Sequence, residues 1–159
     1  GGDRLVVAGY VDQGGAGITR AALDTGAFDS FHFPDGMLSA ALLENFGADL
    51  NGSGGQHPSP SVELADTFKT VVNGAFDSSS PFAPESYDAA ALILLAMQAA
   101  GSKDPNVYKA HMMDVANAPG EKINAGELAK GLEILANGGD IDFVGATGVE
   151  LVGPGEAAG

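Results

Sequence analysis

With 159 residues, 45% hydrophobic and 18% charged, the chain is long enough for one domain or two small lobes with a buried core. The formal net charge is −14, from 21 acidic against 7 basic residues. This leaves no basic footprint for nucleic acid and disfavours anionic membrane surfaces. The absence of cysteine excludes disulfides, thiolate chemistry and cysteine-type zinc sites.

Gly1-Gly2-Asp3 runs straight into an apolar segment, which reads as a processed chain or a fragment. Leu5-Val6-Val7-Ala8-Gly9 has the continuous apolar character of a buried parallel strand. Residues 13–26 read as a helix whose inner face carries Ile18, Ala21, Ala22 and Leu23 and whose stop is Gly26. Phe31-His32-Phe33 is a second strand, closed by the turn sequence Pro34-Asp35-Gly36, and residues 38–46 form a helix ending at Gly47. Strand, helix, strand, turn, helix is the grammar of an open parallel sheet.

Residues 49–60 are rich in Gly, Ser, Asn and Pro and read as a linker. Beyond it, residues 62–73 form an amphipathic helix with Leu64, Phe68, Val71 and Val72 on one face. Residues 85–101 form a helix apolar on every side, which predicts burial, and Tyr87-Asp88 reads as its start and cap near the positive dipole end. Asp104-Pro105 begins another helix that runs to Asn117 and stops at Pro119-Gly120. Asn124 is expected to cap a helix over 126–137. Residues 141–144 and 149–152 read as short strands, and 153–159 as a mobile tail. No apolar run reaches membrane-spanning length, so direct membrane insertion is not expected.

No catalytic constellation stands out. His32, His57 and His111 lack the spacing of a metal or catalytic set, and there is neither a Gly-x-Ser-x-Gly elbow nor a phosphate-binding Walker loop. His32 reads as a satisfied residue in or beside the sheet. Gly14-Gly15-Ala16-Gly17 departs from dinucleotide-binding spacing and reads as a flexible helix start. Ligands of open α/β sheets bind outside the carboxyl ends of the strands. Tyr10 lies just past the first strand and Asp35 just past the second, so the two share one sheet edge. Asp35 offers a negative charge to a ligand cation, and Tyr10 offers a hydroxyl and an aromatic face. Asp before Gly is also an ordinary turn residue, so the spacing alone leaves both readings of Asp35 open.

Val7-Ala8-Gly9-Tyr10, then Phe33-Pro34-Asp35-Gly36-Met37, Glu85-Ser86-Tyr87-Asp88-Ala89-Ala90, Gly101 and Gly145-Ala146-Thr147-Gly148 form an ordered set. In this set the chain resembles the C-terminal portion of leucine/isoleucine/valine-type periplasmic substrate-binding proteins of ABC importers. The resemblance implies an α/β open parallel-sheet three-layer sandwich of the type I periplasmic binding fold, here incomplete. Residues 1–55 would belong to the second lobe, 56–148 to the first, and 149–159 to a return strand and tail.

The resemblance further implies a non-enzymatic role without a cofactor. The protein would capture a small amino acid by closure of two lobes, partner a membrane permease, and reside in the periplasm with or without a lipid anchor on the precursor. It implies that Asp35 pairs with the ligand ammonium, that Tyr10 is a pocket aromatic and that Phe82 packs against the ligand side chain. Two alternatives remain at this point: a sensor domain of the same fold, and a Rossmann-like nucleotide-binding enzyme domain.

Overall fold

The computed structural model describes residues 2–153 and 155–158. Contacts divide the chain into two compact units, one ending at Pro58 and the other beginning at Ser59.

The first unit is a three-stranded parallel sheet of β1 (Leu5–Val6), β2 (Phe31–Phe33) and β3 (Gly54–Gly55), in that spatial order. Leu5 pairs with Phe31, and His32 pairs with both Val6 and Gly54. Helices α1 (Gly15–Asp24) and α2 (Ala40–Phe46) connect the strands. Alternation puts Phe31 and Phe33 into one cluster with Val7, Ala22, Met37, Leu42, Phe46 and Leu50. Val6, pointing the other way, is 59% exposed. Within this unit the helices therefore pack on one face of the sheet, where a three-layer sandwich would cover both. The predicted first strand is only two residues long. The helix expected over 13–26 is split into a 3-10 turn, Val11–Gln13, and α1, parted by the left-handed Gly14. Gly15 lies against the Met37 side chain, where a Cβ would collide with the sulfur.

In the second unit α3 (Val62–Val72) is capped by the Ser61 hydroxyl, which accepts from the Leu64 N–H. Helix α4 (Ala83–Ala100) has Pro84 in its first turn and ends at left-handed Gly101. Asp104 caps α5 (Pro105–Tyr108) through the Asn106 N–H, as Asp104-Pro105 predicts. The helix expected to continue to 117 instead breaks into α5, a 3-10 turn and α6 (Met112–Ala116). Strand β4 (Glu121–Asn124) pairs in parallel with β5 (Ile141–Gly145) on either side of α7 (Leu128–Ala136). Asn124 does not cap α7: the Glu127 carboxylate reaches back to accept from the Asn124 N–H at 2.8 Å. Strand β6 (Leu151–Gly153) pairs antiparallel with β7 (Glu156–Ala157), so those tail residues form a ladder rather than a free end.

The core of this unit gathers Leu92, Leu95 and Ala96 of α4 with Val115, Ile123, Ile141, Phe143 and Leu151. A Cβ at Gly131 of α7 would stand 3.0 Å from Leu95 Cδ2 and 3.4 Å from Ile123, so α7 lies close over that core. Helix α4 is not buried on every side. Ile93 and Leu94 are 37% and 47% exposed, and Ala89 and Ala90 share that outer face. No helix among the described residues is long and apolar enough to cross a membrane.

The two units thus form an α/β chain with small parallel sheets. Its acids far outnumber its bases, and the ion pairs among the described residues involve only Arg20, Lys130 and His111. Self-repulsion opposes the folded state, and salt shortens its range from about 10 Å at 0.1 M to about 3 Å at 1 M. We expect the urea unfolding midpoint to rise as sodium chloride is raised over that interval. A midpoint indifferent to salt would show that charge repulsion is not a significant burden on this fold.

Candidate functional site

In the first unit the three parallel strands end at one edge, where a 3-10 turn follows β1 and another follows β2. Tyr10 follows β1 and is 58% exposed. Its carbonyl accepts the N–H groups of Gln13 and Gly15, anchoring the residue at the start of α1. Asp35 opens the 3-10 turn after β2 and is exposed. Its Oδ1 accepts the Gly36 N–H at 2.8 Å, which fixes one carboxylate oxygen. A Cβ at Gly36 would stand 3.0 Å from Cδ1 and Cε1 of Tyr10 and 2.6 Å from the Gly9 carbonyl oxygen. Gly36 is therefore the point where the Tyr10 ring lies beside the Asp35 turn, and only glycine leaves the ring that room. The structure brings these two expected residues together.

A polar pair at the same sheet was not anticipated as a pair. His32 Nε2 and Gln56 Oε1 are 2.8 Å apart, joining β2 to the residue that follows β3. The reading of His32 as a satisfied sheet residue fits this contact. Gln56 was invisible because β3 is Gly54-Gly55, which carries no strand signal.

Phe82 lies in the second unit, immediately before α4, with φ +66° and 37% exposure. A left-handed backbone is unfavourable for an aromatic residue. Nothing in its own unit assigns it a ligand role.

The start of α4 has a different chemistry from the one expected. Asp88 lies in the second turn of the helix, not at its cap. It is 2% exposed. Oδ1 accepts the Ala146 N–H at 2.7 Å, while Oδ2 accepts the Thr147 N–H at 2.8 Å and its hydroxyl at 2.6 Å. The adjacent Tyr87 hydroxyl accepts the Gly126 N–H at 2.8 Å, and its ring packs on Phe68 at 5.3 Å. Two neighbouring side chains thus bind helix α4 to the segments leaving β4 and β5. Desolvation raises the Asp88 carboxyl above its ordinary range, opposed by the Thr147 and Ala146 donors. Gly145, with φ +62°, has no space for a Cβ because Asp88 Oδ1 and the Phe143 ring fill it. The reading of Tyr87 and Asp88 as structural residues is consistent with this geometry, although they act by bracing strand ends rather than by capping.

Chemically, the edge of the first unit offers an exposed carboxylate with one oxygen uncommitted, an aromatic face and a phenolic hydroxyl. Such a set can hold a cationic or hydroxyl-bearing small molecule. Among the described residues, no group of three or more His, Asp or Glu is arranged to hold a metal ion.

No family model and no solved structure matches the chain. Over 68 residues it is 31% identical to a protein named chemotactic signal transduction system substrate-binding protein BasB, from Halobacterium salinarum. The matched stretch is 43% of this chain and 16% of that relative's length. The likeness is to a short part of a protein whose name makes it substrate-binding. It does not single out the leucine/isoleucine/valine type.

The Asp88 brace makes a clear prediction. Asp88→Ala leaves the Ala146 and Thr147 donors unsatisfied, at a cost of about 1–3 kcal/mol each where they are buried. Asp88→Asn keeps one acceptor oxygen and should cost less. Because the folded carboxyl is raised, wild-type stability relative to Asp88→Asn should grow as pH falls through that raised value. The gain is complete below the ordinary carboxylate range. Paired urea titrations of the two proteins across acidic pH measure this; a difference that narrows on acidification would contradict it.

Proposed function

We propose that this chain is the ligand-binding part of a substrate-binding protein that delivers a small amino acid, branched-chain or related, to an ABC importer. The observation that carries the reading is the 68-residue likeness to a protein named as substrate-binding. The juxtaposition of Tyr10 and Asp35 at the carboxyl edge of a parallel sheet adds chemical support, since this is where such sheets receive ligands. In this reading Asp35 pairs with the ligand's ammonium group, Tyr10 packs on it, and Phe82 touches its side chain. The role is not enzymatic. It carries with it a permease as partner and a periplasmic location, with or without a lipid anchor.

An ammonium at Asp35 gains most when binding removes water, because the same charge pair is far stronger at low dielectric. Truncating one member of a desolvated charged hydrogen bond typically costs about 2–5 kcal/mol. Asp35→Ala in the intact protein should therefore weaken amino-acid binding by at least about tenfold, the conservative end of that range. Titration calorimetry with a panel of amino acids reads this. Unchanged affinity removes Asp35 from the site, and no binding by any amino acid removes the ligand class.

A second reading is favoured by one specific observation: the relative's name places it in a chemotactic signal transduction system. A sensor would bind the same kind of ligand and hand it to a transducer instead of a permease. Affinity capture from membranes of the native cell separates the two by the membrane protein retained. The nucleotide-binding alternative has no comparable support, and mass analysis for a bound nucleotide tests it.

A further inference from the structure

The sequence contains three Asn-Gly pairs, Asn51-Gly52, Asn73-Gly74 and Asn137-Gly138, all exposed. Asparagine before glycine is chemically labile because no Cβ hinders attack by the following backbone nitrogen. The fold treats the three pairs differently. At Asn137 the side-chain Nδ2 donates to the Glu133 carbonyl at 2.8 Å. The Gly138 N–H donates to the Leu135 carbonyl at 3.1 Å. Both reacting groups, the electrophilic amide and the nucleophilic nitrogen, are held. At Asn51 and Asn73, among the described residues, neither the side-chain amide nor the following glycine N–H has a hydrogen-bond partner. Asn51 follows the 3-10 turn Gly47–Leu50 and precedes β3, and Asn73 caps α3.

We propose that Asn51 and Asn73 are self-modification sites that convert to aspartate and isoaspartate in the folded protein, while Asn137 is latched against the same reaction. The glycine nitrogen loses its proton and bonds to the asparagine Cγ. The Cγ–Nδ2 bond breaks and ammonia leaves, closing a succinimide. Water then opens either carbonyl of the ring. One product is aspartate; the other is isoaspartate, with a methylene inserted into the backbone. No oxidant or reductant is involved. Near residue 51, Arg4 Nη2 donates to the carbonyl of the following Gly52 at 3.3 Å. The isoaspartate product would lengthen the backbone immediately before β3, the strand whose exit holds Gln56 against His32.

The experiment ages the folded protein and, in parallel, the same protein unfolded in guanidinium chloride at one mildly alkaline pH. Peptide mapping then follows the replacement of amide by acid at each site. Asn51 and Asn73 should convert at nearly the same rate folded as unfolded. Asn137 should be slowed about tenfold or more by folding, because two hydrogen bonds must open first. Equal protection at all three sites, or conversion of folded Asn137 as fast as Asn51, would overturn the proposal. The variant Asn51→Gln, whose longer side chain disfavours the five-membered ring, should abolish conversion at 51 and leave 73 unchanged.

Discussion

The clasp of Asp88 on the Gly145–Thr147 segment is the constraint on which the second unit depends. It is the one charged side chain buried among the described residues, and a buried carboxylate is tolerated only when its oxygens are hydrogen-bonded. Three donors from two consecutive residues meet that requirement. The geometry is reciprocal. Gly145 must lack a side chain for the carboxylate to approach, and its left-handed backbone turns the Ala146 and Thr147 N–H groups toward it. Tyr87 does the same for the segment after β4 through Gly126. The Tyr-Asp pair and the later Gly-Ala-Thr-Gly phrase are therefore two halves of one interaction.

This clasp explains how a helix with so little polar surface can be positioned without being enclosed. Helix α4 buries Leu92, Leu95 and Ala96 while Ile93 and Leu94 reach solvent. A uniformly apolar helix carries no rotational preference of its own, so hydrophobicity cannot decide which side faces the core. The directional bonds of Tyr87 and Asp88 decide it. The expectation of burial on every side came from composition alone. Which stripe is buried depends on a contact nearly sixty residues distant.

Other differences between sequence and structure have similarly local causes. Strand β4 is Glu-Lys-Ile-Asn, with only Ile123 buried, so it lacks the apolar run that marks a parallel strand. Strand β3 is two glycines paired with His32 and Phe33, and its signal is turn-like. By contrast β2 and β5, whose buried residues alternate cleanly, were legible, as were α3 through its apolar face and the helix start at Asp104-Pro105. At the candidate site, the strand-end rule located Tyr10 and Asp35 on one edge. Their meeting over Gly36 was not legible, because it depends on the path of two turns. Phe82 rested on resemblance alone, and its surroundings within its own unit add nothing to that role.

The two carboxylates that organise the chain differ in how much of their bonding capacity is committed. An ionised carboxylate has about four lone-pair sites. Asp88 uses three in a dry setting, so it holds the protein together and has little to offer a ligand. Asp35 has one oxygen bonded to its own turn and is exposed to solvent. Its remaining acceptor sites face water that a ligand can displace. For that reason the exposed carboxylate, rather than the buried one, is the better candidate for recognition. Within so acidic a protein, the long-range field gives a cationic group the favoured approach at low ionic strength. Specific attraction at Asp35 is then a matter of excluding solvent from a charge that has no ion-pair partner among the described residues.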